Sequence, residues 1–204
     1  MGKPKSDDKS DTRRQILQAA LKRFAHAGYS AASVQQIVDD AKVSKPALYY
    51  YFKDKAGLFA ALVHEAHEER YRLLREAAAR HDNIRRQLEE ILSGLLEYFR
   101  NNRELMRISF ATMFAAPGEM PEGLCYADKC ERNFEFVHSL IRRAQKSGEL
   151  DNRFDSQKMA FGFYGLCNFF LVSHLVVPDY KTDRKTARQV VDLFLTGAGG
   201  KKLK

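Results

Sequence analysis

Three consecutive tyrosines and a nearby lysine are the side chains with the clearest chemical role. Tyr49, Tyr50 and Tyr51 follow Lys45 after one helical turn. Because successive helical residues point about 100° apart, a two-turn helix cannot bury all three rings. Exposed tyrosines contact phosphates and thymine methyls, and a lysine near a helix N-terminus reaches a phosphate or a guanine edge. This pattern favours nucleic-acid binding, although an interpretation with one tyrosine in the core and the others half-buried stays open.

Two short helices must position these side chains. Ser33 and Gln36 have the spacing of a capping box, in which each side chain satisfies an amide group at the start of a helix. After a short turn, Ser44 caps the helix that carries the tyrosines, and Pro46 lies in its first turn, where a missing amide hydrogen costs little. Such a pair is a helix-turn-helix, whose second helix enters the DNA major groove. The residues expected to pack between the helices are Ile37, Ala41, Val43, Leu48 and Phe52.

The rest of the chain also has helical spacing. Asp11 can cap a first helix, and Gly28 stands where a left-handed C-terminal cap belongs. Asp54 caps a fourth helix that is longer than the N-terminal module needs for its own core. The helices expected in chain order cover residues 11–28, 33–40, 45–51, 54–80, 84–101, 103–114, 121–146, 156–177 and 184–195.

The sequence therefore predicts an all-α fold with two domains. Residues 11–55 are expected to form an N-terminal three-helix DNA-binding domain that contains the helix-turn-helix. Residues 56–197 are expected to form a C-terminal helical ligand-binding and dimerisation domain. The polar residues 1–10 predict a flexible arm, and residues 198–204 predict a flexible tail.

The positive charge is concentrated in the first quarter of the chain. Residues 1–55 contain 11 Lys or Arg against 6 Asp or Glu, a net charge of +5 out of +8 for the 204 residues. A basic module on a nearly balanced chain indicates a polyanionic partner, with nucleic acid first and an acidic membrane surface second. The first six residues also match the loose pattern for N-myristoylation, which keeps a membrane-associated adaptor as an alternative. That alternative leaves the helix-turn-helix residues unexplained.

The helix-turn-helix segment resembles a known family. The run SVQQIV from residue 33 and the run VSKPALYYYFKDK from residue 43 resemble the signature of the TetR family of bacterial regulators. The runs DTRRQIL from residue 11 and GLF from residue 57 also match, so the resemblance covers about residues 11–60. It implies a homodimeric transcriptional regulator that dimerises through its last two helices and binds a pseudo-palindromic double-stranded operator. We expect a repressor that a small ligand releases from DNA, and the Phe- and Met-rich C-terminal region indicates a largely apolar ligand.

Carried over position by position, the resemblance implies two kinds of DNA contact. The phosphate contacts fall on Ser33, Tyr49 and Lys55. The contacts from the recognition helix fall on Lys45, Pro46, Ala47, Tyr50 and Tyr51. Lys42 departs from the family, which usually has glycine in this turn, and a lysine with positive φ costs on the order of 1 kcal/mol.

The C-terminal half contains one unusually apolar helix. Residues 161–177 lack charged side chains, and their main polar groups are Asn168, Ser173 and His174. A helix that is apolar all round must be covered on every side. A central core helix meets this need, and so does a helix with one face in a dimer and another lining a cavity. A transmembrane span is disfavoured because it usually needs about 20 apolar residues.

An effector cavity would be lined by aromatic, methionine and polar side chains of three helices. Core packing explains most of them equally well. Asn168 is the best exception, because a buried amide requires partners that a ligand can supply. The candidate ligand contacts are Phe110, Met113, Phe114, Tyr126, Phe134, Tyr164, Asn168 and His174, with Met106 and Cys130 as further lining residues.

Other kinds of chemistry have little support in the sequence. His64 and His67 have the spacing of a metal pair without a third ligand, and a solvated helix face explains them better. Cys125, Cys130 and Cys167 are an odd number without metal-ligand spacing, which indicates a reducing cytoplasm. The chain shows no nucleotide-binding loop, zinc motif or nucleophile elbow. We therefore expect no catalytic residue, no metal and no cofactor.

Overall fold

The computed structural model describes residues 6–116, 119–121, 124, 127–177, 180 and 182–196. This part of the chain consists of α-helices and connecting segments without a β-strand, so the predicted all-α fold is confirmed. No helix among the described residues is long and apolar enough to cross a membrane. The helices are α1 Ser6–Ala31, α2 Val34–Ala41, α3 Lys45–Tyr51, α4 Lys55–Ala78, α5 Ile84–Asn101, α6 Arg103–Met113, α7 Ala127–Lys146, α8 Ser156–Val176 and α9 Arg184–Thr196.

The two helices of the helix-turn-helix begin where the sequence predicts. The Ser33 hydroxyl accepts a hydrogen bond from the Gln36 amide at 3.2 Å, and the Gln36 side chain accepts one from the Ser33 amide at 3.2 Å. The predicted capping box is therefore present. At the start of α3, the Ser44 hydroxyl accepts from the Ala47 amide, and Pro46 lies in the first turn. These caps satisfy backbone amides that a helix start leaves without a partner.

The turn between α2 and α3 has a positive φ at Lys42, the position where the TetR family usually has glycine. Lys42 adopts φ 55° and ψ 41°, in the left-handed region. Its amide donates to the carbonyl of Asp39, and the Val43 amide donates to the carbonyl of Val38. This pair of hydrogen bonds is a Schellman motif, which usually has glycine at the left-handed position. The turn is thus well bonded, although lysine at this φ costs on the order of 1 kcal/mol.

The first helix starts earlier than the sequence predicts. α1 begins at Ser6 rather than Asp11, so the expected flexible arm is wrong for residues 6–10. Once a helix has formed its nucleus, each added residue gains a backbone hydrogen bond, which lets amphipathic turns extend a helix into a polar segment. Gly28 has the expected positive φ, 79°, but its ψ of 166° lies outside the left-handed helical region and kinks the chain. The remainder of the arm and the whole predicted tail lie outside the described residues.

The described residues divide into two compact units. The first comprises residues 6–66 and 104–124, and the second comprises residues 67–103 and 127–196. α4 therefore contributes its first turns to one unit and its later turns to the other. The expected domain boundary between residues 55 and 56 stays a prediction.

The core of the first unit encloses the helix-turn-helix. Ile37 and Leu48 have no exposed surface, and Ala41 and Phe52 are also buried. Val43 is partly buried against the same cluster, so all five predicted packing residues take part in it. Burial of a large aliphatic side chain contributes about 1.5–3 kcal/mol, which is enough for such a cluster to hold two short helices. The α4 residues in this core are Leu58, Phe59, Leu62 and Val63.

The seventh helix starts later than the sequence predicts. α7 begins at Ala127, whereas the expected start is Pro121. The carbonyl of Pro121 instead accepts a turn hydrogen bond from the Leu124 amide. Met120 and Leu124 pack against the core of the first unit.

The second unit is built from paired helices. α5 packs against α9, and α7 packs against α8. At the start of α5, the Asn83 side chain accepts from the Arg86 amide at 2.9 Å, and Glu149 accepts from the Ile84 amide at 2.9 Å. A carboxylate is favourable at the positive end of the helix dipole. Glu149 thereby ties the segment that follows α7 to the start of α5.

Candidate functional site

α3 exposes most of the polar residues that the sequence assigns to DNA. Lys45 and Pro46 are exposed, and Tyr49 and Tyr50 are 48% and 68% exposed. Leu48, between them in the sequence, is fully buried. One side of α3 is therefore apolar and packed, and the other presents a lysine, a proline and two tyrosines. This division matches a recognition helix, which needs polar and aromatic groups facing the major groove.

Tyr51 differs from its two neighbours. It is half-buried and packs against the core of the first unit, as the alternative interpretation of the tyrosine run requires for one ring. Its ring meets Tyr50 edge to face, with centroids 5.0 Å apart, and lies 6.4 Å from the ring of Phe52. Tyr51 thus supports the Tyr50 ring from the side. The expected DNA contacts of Tyr51 and of half-buried Ala47 stay predictions.

Ser33 combines a structural bond with a position suited to a phosphate. Its side chain is exposed at the start of α2 and already accepts a hydrogen bond from the Gln36 amide. A hydroxyl also carries one donor, so the same group can cap the helix and donate to a phosphate oxygen. The expected phosphate contact is compatible with the geometry.

Lys55 has a structural role that the sequence does not reveal. Its ammonium donates to the carbonyl oxygens of Tyr29, Ser30 and Ala32 at 3.0, 3.2 and 3.0 Å. It also lies 4.5 Å from the centroid of the Tyr29 ring. An ammonium has three donors, and here each has a carbonyl acceptor. The expected phosphate contact of Lys55 is therefore disfavoured, because a phosphate would have to displace bonds that tie α4 to the end of α1.

An ion pair fixes α2 against α1. The Nε and Nη2 atoms of Arg23 donate to the two carboxylate oxygens of Asp40 at 2.5 and 2.8 Å. The hydrogen bond from Arg23 lowers the pKa of Asp40 below its ordinary value. A two-point contact of this kind constrains orientation as well as distance. It therefore helps to orient the helix that precedes the recognition helix.

The structure separates the candidate effector contacts. Met113 is 47% exposed and Phe114 is 78% exposed, and both lie in the first unit with half-buried Phe110. Ligand sites usually enclose most of a ligand, so side chains this exposed do not form an enclosed site within the first unit. Tyr126 lies outside the described residues, and for His174 only its position on α8 is described.

The other three candidates lie together in the second unit, around Arg70. The Nη2 atom of Arg70 donates to Asn168 Oδ1 at 3.1 Å, and its guanidinium carbon lies 4.9 Å from the centroid of the Tyr164 ring. Phe134 meets Tyr164 edge to face at 5.9 Å and stacks on Phe161 at 4.5 Å. Asn168 therefore has a charged partner from α4, and Tyr164, Phe134 and Phe161 form a chain of ring contacts beside it.

The local sequence around Arg70 does not indicate a binding role for this residue. It stands in a run of charged residues on α4, where a solvated helix face is the ordinary expectation. In the structure it is half-buried, and its Nε atom is buried without a hydrogen-bond partner. No local pattern could have shown this, because the residues that enclose Arg70 lie on α8, about a hundred positions later in the chain.

Further positive charge lies near Arg70. Lys129 and Arg132 both donate to Glu68 Oε1, at 2.9 and 3.0 Å. Hydrogen bonds from these two residues lower the pKa of Glu68 to about 2. Burial lowers the pKa of His67 to about 4, with Arg70 adding to the effect, so His67 is neutral at pH 7. These five residues together hold three positive charges and one negative charge.

Two cysteines adjoin this group and are protonated at neutral pH. Cys130 Sγ lies 3.9 Å from His67 Nε2. Burial raises the pKa of Cys130 above its ordinary value and raises the pKa of Cys167 to about 12. A thiol with a raised pKa is a poor nucleophile and a poor metal ligand. Both side chains therefore fit a structural role.

Comparisons with known proteins agree with the helix-turn-helix. The sequence model of "Bacterial regulatory proteins, tetR family" matches residues 16–62. A probable HTH-type transcriptional regulator, YttP, of Bacillus subtilis is 33% identical over 104 residues, which are 50% of this chain and 50% of that protein. The match thus spans about half the length of this relative. The 104 aligned residues are more than the helix-turn-helix segment alone.

Solved structures share the fold over most of the chain. The transcriptional regulator FadR of Bacillus subtilis, crystallised in complex with stearoyl-CoA, superposes with a TM-score of 0.76 at 20% identity, covering 91% of this chain and 99% of that chain. The TetR family transcriptional regulator PfmR of Thermus thermophilus superposes with a TM-score of 0.73 at 20% identity, covering 97% of this chain and all of that chain, 100%. The solved structures show the shared fold, and the matched sequence model, together with the capping box and the buried core, shows that residues 16–62 carry the helix-turn-helix of the tetR family of bacterial regulatory proteins.

Proposed function

We propose that this protein is a sequence-specific DNA-binding transcriptional regulator whose recognition helix is α3. The observation that carries the proposal is the division of α3, in which Leu48 is fully buried while Lys45, Tyr49 and Tyr50 face outward. The regulator names of the relatives support the same function. We favour a repressor that acts in the cytoplasm and leaves its operator when a small molecule binds.

We infer that two copies act together through α8 and α9. Phe169 and Val176 are each 70% exposed on α8, and Leu193 is 43% exposed on α9. A Cβ atom added at Gly165 would meet nothing within 4 Å, so the same helix also has room for a close neighbour. Exposed apolar patches mark interaction surfaces. Two recognition helices would bind a pseudo-palindromic operator more selectively than one.

The effector in this proposal binds in the second unit. Phe134, Tyr164 and Asn168 are the contacts that we favour, because Arg70 and the aromatic rings hold them in one group. A regulator with the same fold was crystallised with stearoyl-CoA, which has a long apolar chain, and this supports an effector with a large apolar part. The ligand contacts of Phe110, Met113, Phe114, Tyr126 and His174 stay predictions.

Binding to the DNA upstream of the gene tests the regulatory function. Fluorescence anisotropy of the full-length protein on labelled intergenic duplex should show tighter binding than on a scrambled duplex, with a steep loss of affinity as salt rises. Lys45→Ala and Tyr50→Ala should each weaken specific binding by about 5- to 150-fold. Lys158→Ala, at an exposed lysine on α8, is the matched control and should leave affinity unchanged. Equal affinity for both duplexes at physiological salt would contradict the proposal.

Light scattering after size-exclusion chromatography tests the dimer separately. Phe169→Glu should convert the dimer to a monomer, because it places a charge on the apolar face of α8. Phe154→Glu is the control, since Phe154 is also exposed but precedes α8. A Phe169→Glu protein that stays dimeric would show that the two copies meet elsewhere.

A further inference from the structure

Arg70 is a half-buried cation that has no anionic partner among the described residues. Its hydrogen-bond partners among the described residues are neutral, the amide of Asn168 at 3.1 Å and the hydroxyl of Tyr164, and its buried Nε atom has no acceptor among them. No ion pair links Arg70 to a carboxylate of the described residues. Removing a guanidinium from water is costly unless an opposite charge or a full set of hydrogen bonds replaces the water. The ring of Tyr164 offsets part of this cost but leaves the Nε–H group without an acceptor.

A comparison with Arg132 shows what Arg70 lacks. Arg132 also has a buried Nε atom without a partner, and its guanidinium also lies over a ring, that of Tyr71, at 4.2 Å. Arg132 differs because its Nη2 atom donates to the carboxylate of Glu68 at 3.0 Å. Lys129 shares the same oxygen, so Glu68 is already the partner of two cations. Among the described residues Arg70 therefore has no carboxylate partner like the one that Arg132 has, and the five-residue group around it keeps more positive than negative charge.

The effector proposed above would supply the missing anion. We propose that Arg70 binds an oxyanion, a carboxylate or a phosphate, on an effector whose apolar chain lies against Phe134 and Tyr164. The planar guanidinium matches the geometry of such a group, and hydrogen bonds between charged partners are the stronger ones. Phe134, which contacts both Tyr164 and Phe161, extends the group of aromatic rings beyond Tyr164. The effector is thus an acidic amphiphile rather than a purely apolar molecule, an inference that rests on the proposed regulatory function.

Three probes with the same alkyl chain length distinguish which head group the protein prefers. Isothermal titration of the full-length protein with dodecanoate, dodecyl phosphate and dodecan-1-ol compares a carboxylate, a phosphate and a neutral head group. At least one oxyanion should bind about 10- to 100-fold more tightly than the alcohol, and the tighter of the two identifies the source of the oxyanion. Equal affinity for the acids and the alcohol, or no binding of either acid, would overturn the proposal.

Substitutions at Arg70 test whether this residue is responsible. Arg70→Gln should remove the preference for the oxyanion, whereas Arg72→Gln, two residues away on the exposed face of α4, should retain it. If circular dichroism shows that Arg70→Gln does not fold, Arg70→Lys keeps the charge without the planar fork and should reduce the preference. A preference that is unchanged in a folded Arg70 variant would contradict the assignment.

DNA binding without any effector separates this inference from the proposed function. The ligand-free wild type and Arg70→Gln should bind the specific duplex equally, because Arg70 lies in the second unit and the recognition helix lies in the first. Specific DNA binding by a protein that shows no oxyanion preference would refute the oxyanion site alone. Oxyanion binding at Arg70 by a protein that does not distinguish the duplexes would refute the regulatory function alone.

Discussion

Replacing Lys55 with methionine tests whether this residue stabilises the DNA-binding module or contacts DNA. Methionine keeps an apolar stem of similar length but removes the ammonium and its three bonds to Tyr29, Ser30 and Ala32. Charged hydrogen bonds contribute about 1.5–3 kcal/mol and a partly exposed cation–π contact about 0.5–1 kcal/mol. We therefore expect the free energy of unfolding to fall by about 2–4 kcal/mol. A loss of about 3 kcal/mol lowers Tm by roughly 6–12 °C in a chain of this size.

Thermal and urea unfolding measure this loss, and DNA binding at several salt concentrations measures the alternative. Lys53→Met, at an exposed lysine in the segment before α4, is the matched control and should change the unfolding free energy by less than about 0.5 kcal/mol. If Lys55 is structural, the folded Lys55→Met protein keeps the wild-type slope of log affinity against log salt concentration. If Lys55 instead contacts a phosphate, the slope for the variant becomes shallower by about 0.9. Unchanged stability together with a shallower slope would refute the structural role.

Three further predictions concern the turn, the recognition helix and the titration of the second unit. Lys42→Gly should raise the free energy of unfolding by about 0.5–1 kcal/mol, because glycine adopts the left-handed φ of 55° without strain. Lys42→Ala keeps the strain and should not raise the free energy of unfolding. Equal stability of the two variants in urea would contradict this explanation. Leu48→Ala should lower the free energy of unfolding, measured in urea, by about 2–5 kcal/mol. Tyr50→Ala should weaken DNA binding but change the free energy of unfolding by less than about 0.5 kcal/mol. A large loss of stability for Tyr50→Ala would mean that its ring belongs to the core. The pKa of His67 is lowered from 6.5 to about 4, so the unfolded chain takes up this proton first and stability should decline as the pH falls from about 6.5 to about 4. His67→Gln should reduce the decline in Tm over that range, and an identical profile in the variant would show that other groups cause it.

The helix-turn-helix could be read from local sequence because local chemistry determines it. The capping box at Ser33, the cap at Ser44 and the proline in the first turn of α3 depend on residues three or four positions apart. Hydrophobic spacing then predicted that Leu48 and Ile37 are buried, and both have no exposed surface. The start of α1 was predicted less well, since a polar segment without apolar residues gives no signal for how far a helix extends.

The candidate effector site could be predicted only in part. Spacing on α8 identified Tyr164 and Asn168 as polar groups on an apolar helix, and both lie beside Arg70. Spacing on α6 also suggested Met113 and Phe114, which are 47% and 78% exposed within the first unit. A stripe of methionine and aromatic residues shows that one helix face is apolar, but it does not show what packs against that face.

By itself, the sequence determined the all-α class, the helix-turn-helix and the side of the recognition helix that faces outward, because caps, turns and helical periodicity act over a few residues. The tertiary structure decided the contacts of two basic residues that resemble surface charges in the sequence. Lys55 meets carbonyls more than twenty positions away, and Arg70 meets an amide about a hundred positions away. The partner of a charged side chain depends on which distant segments pack beside it, and burial then sets how strongly that partner is needed.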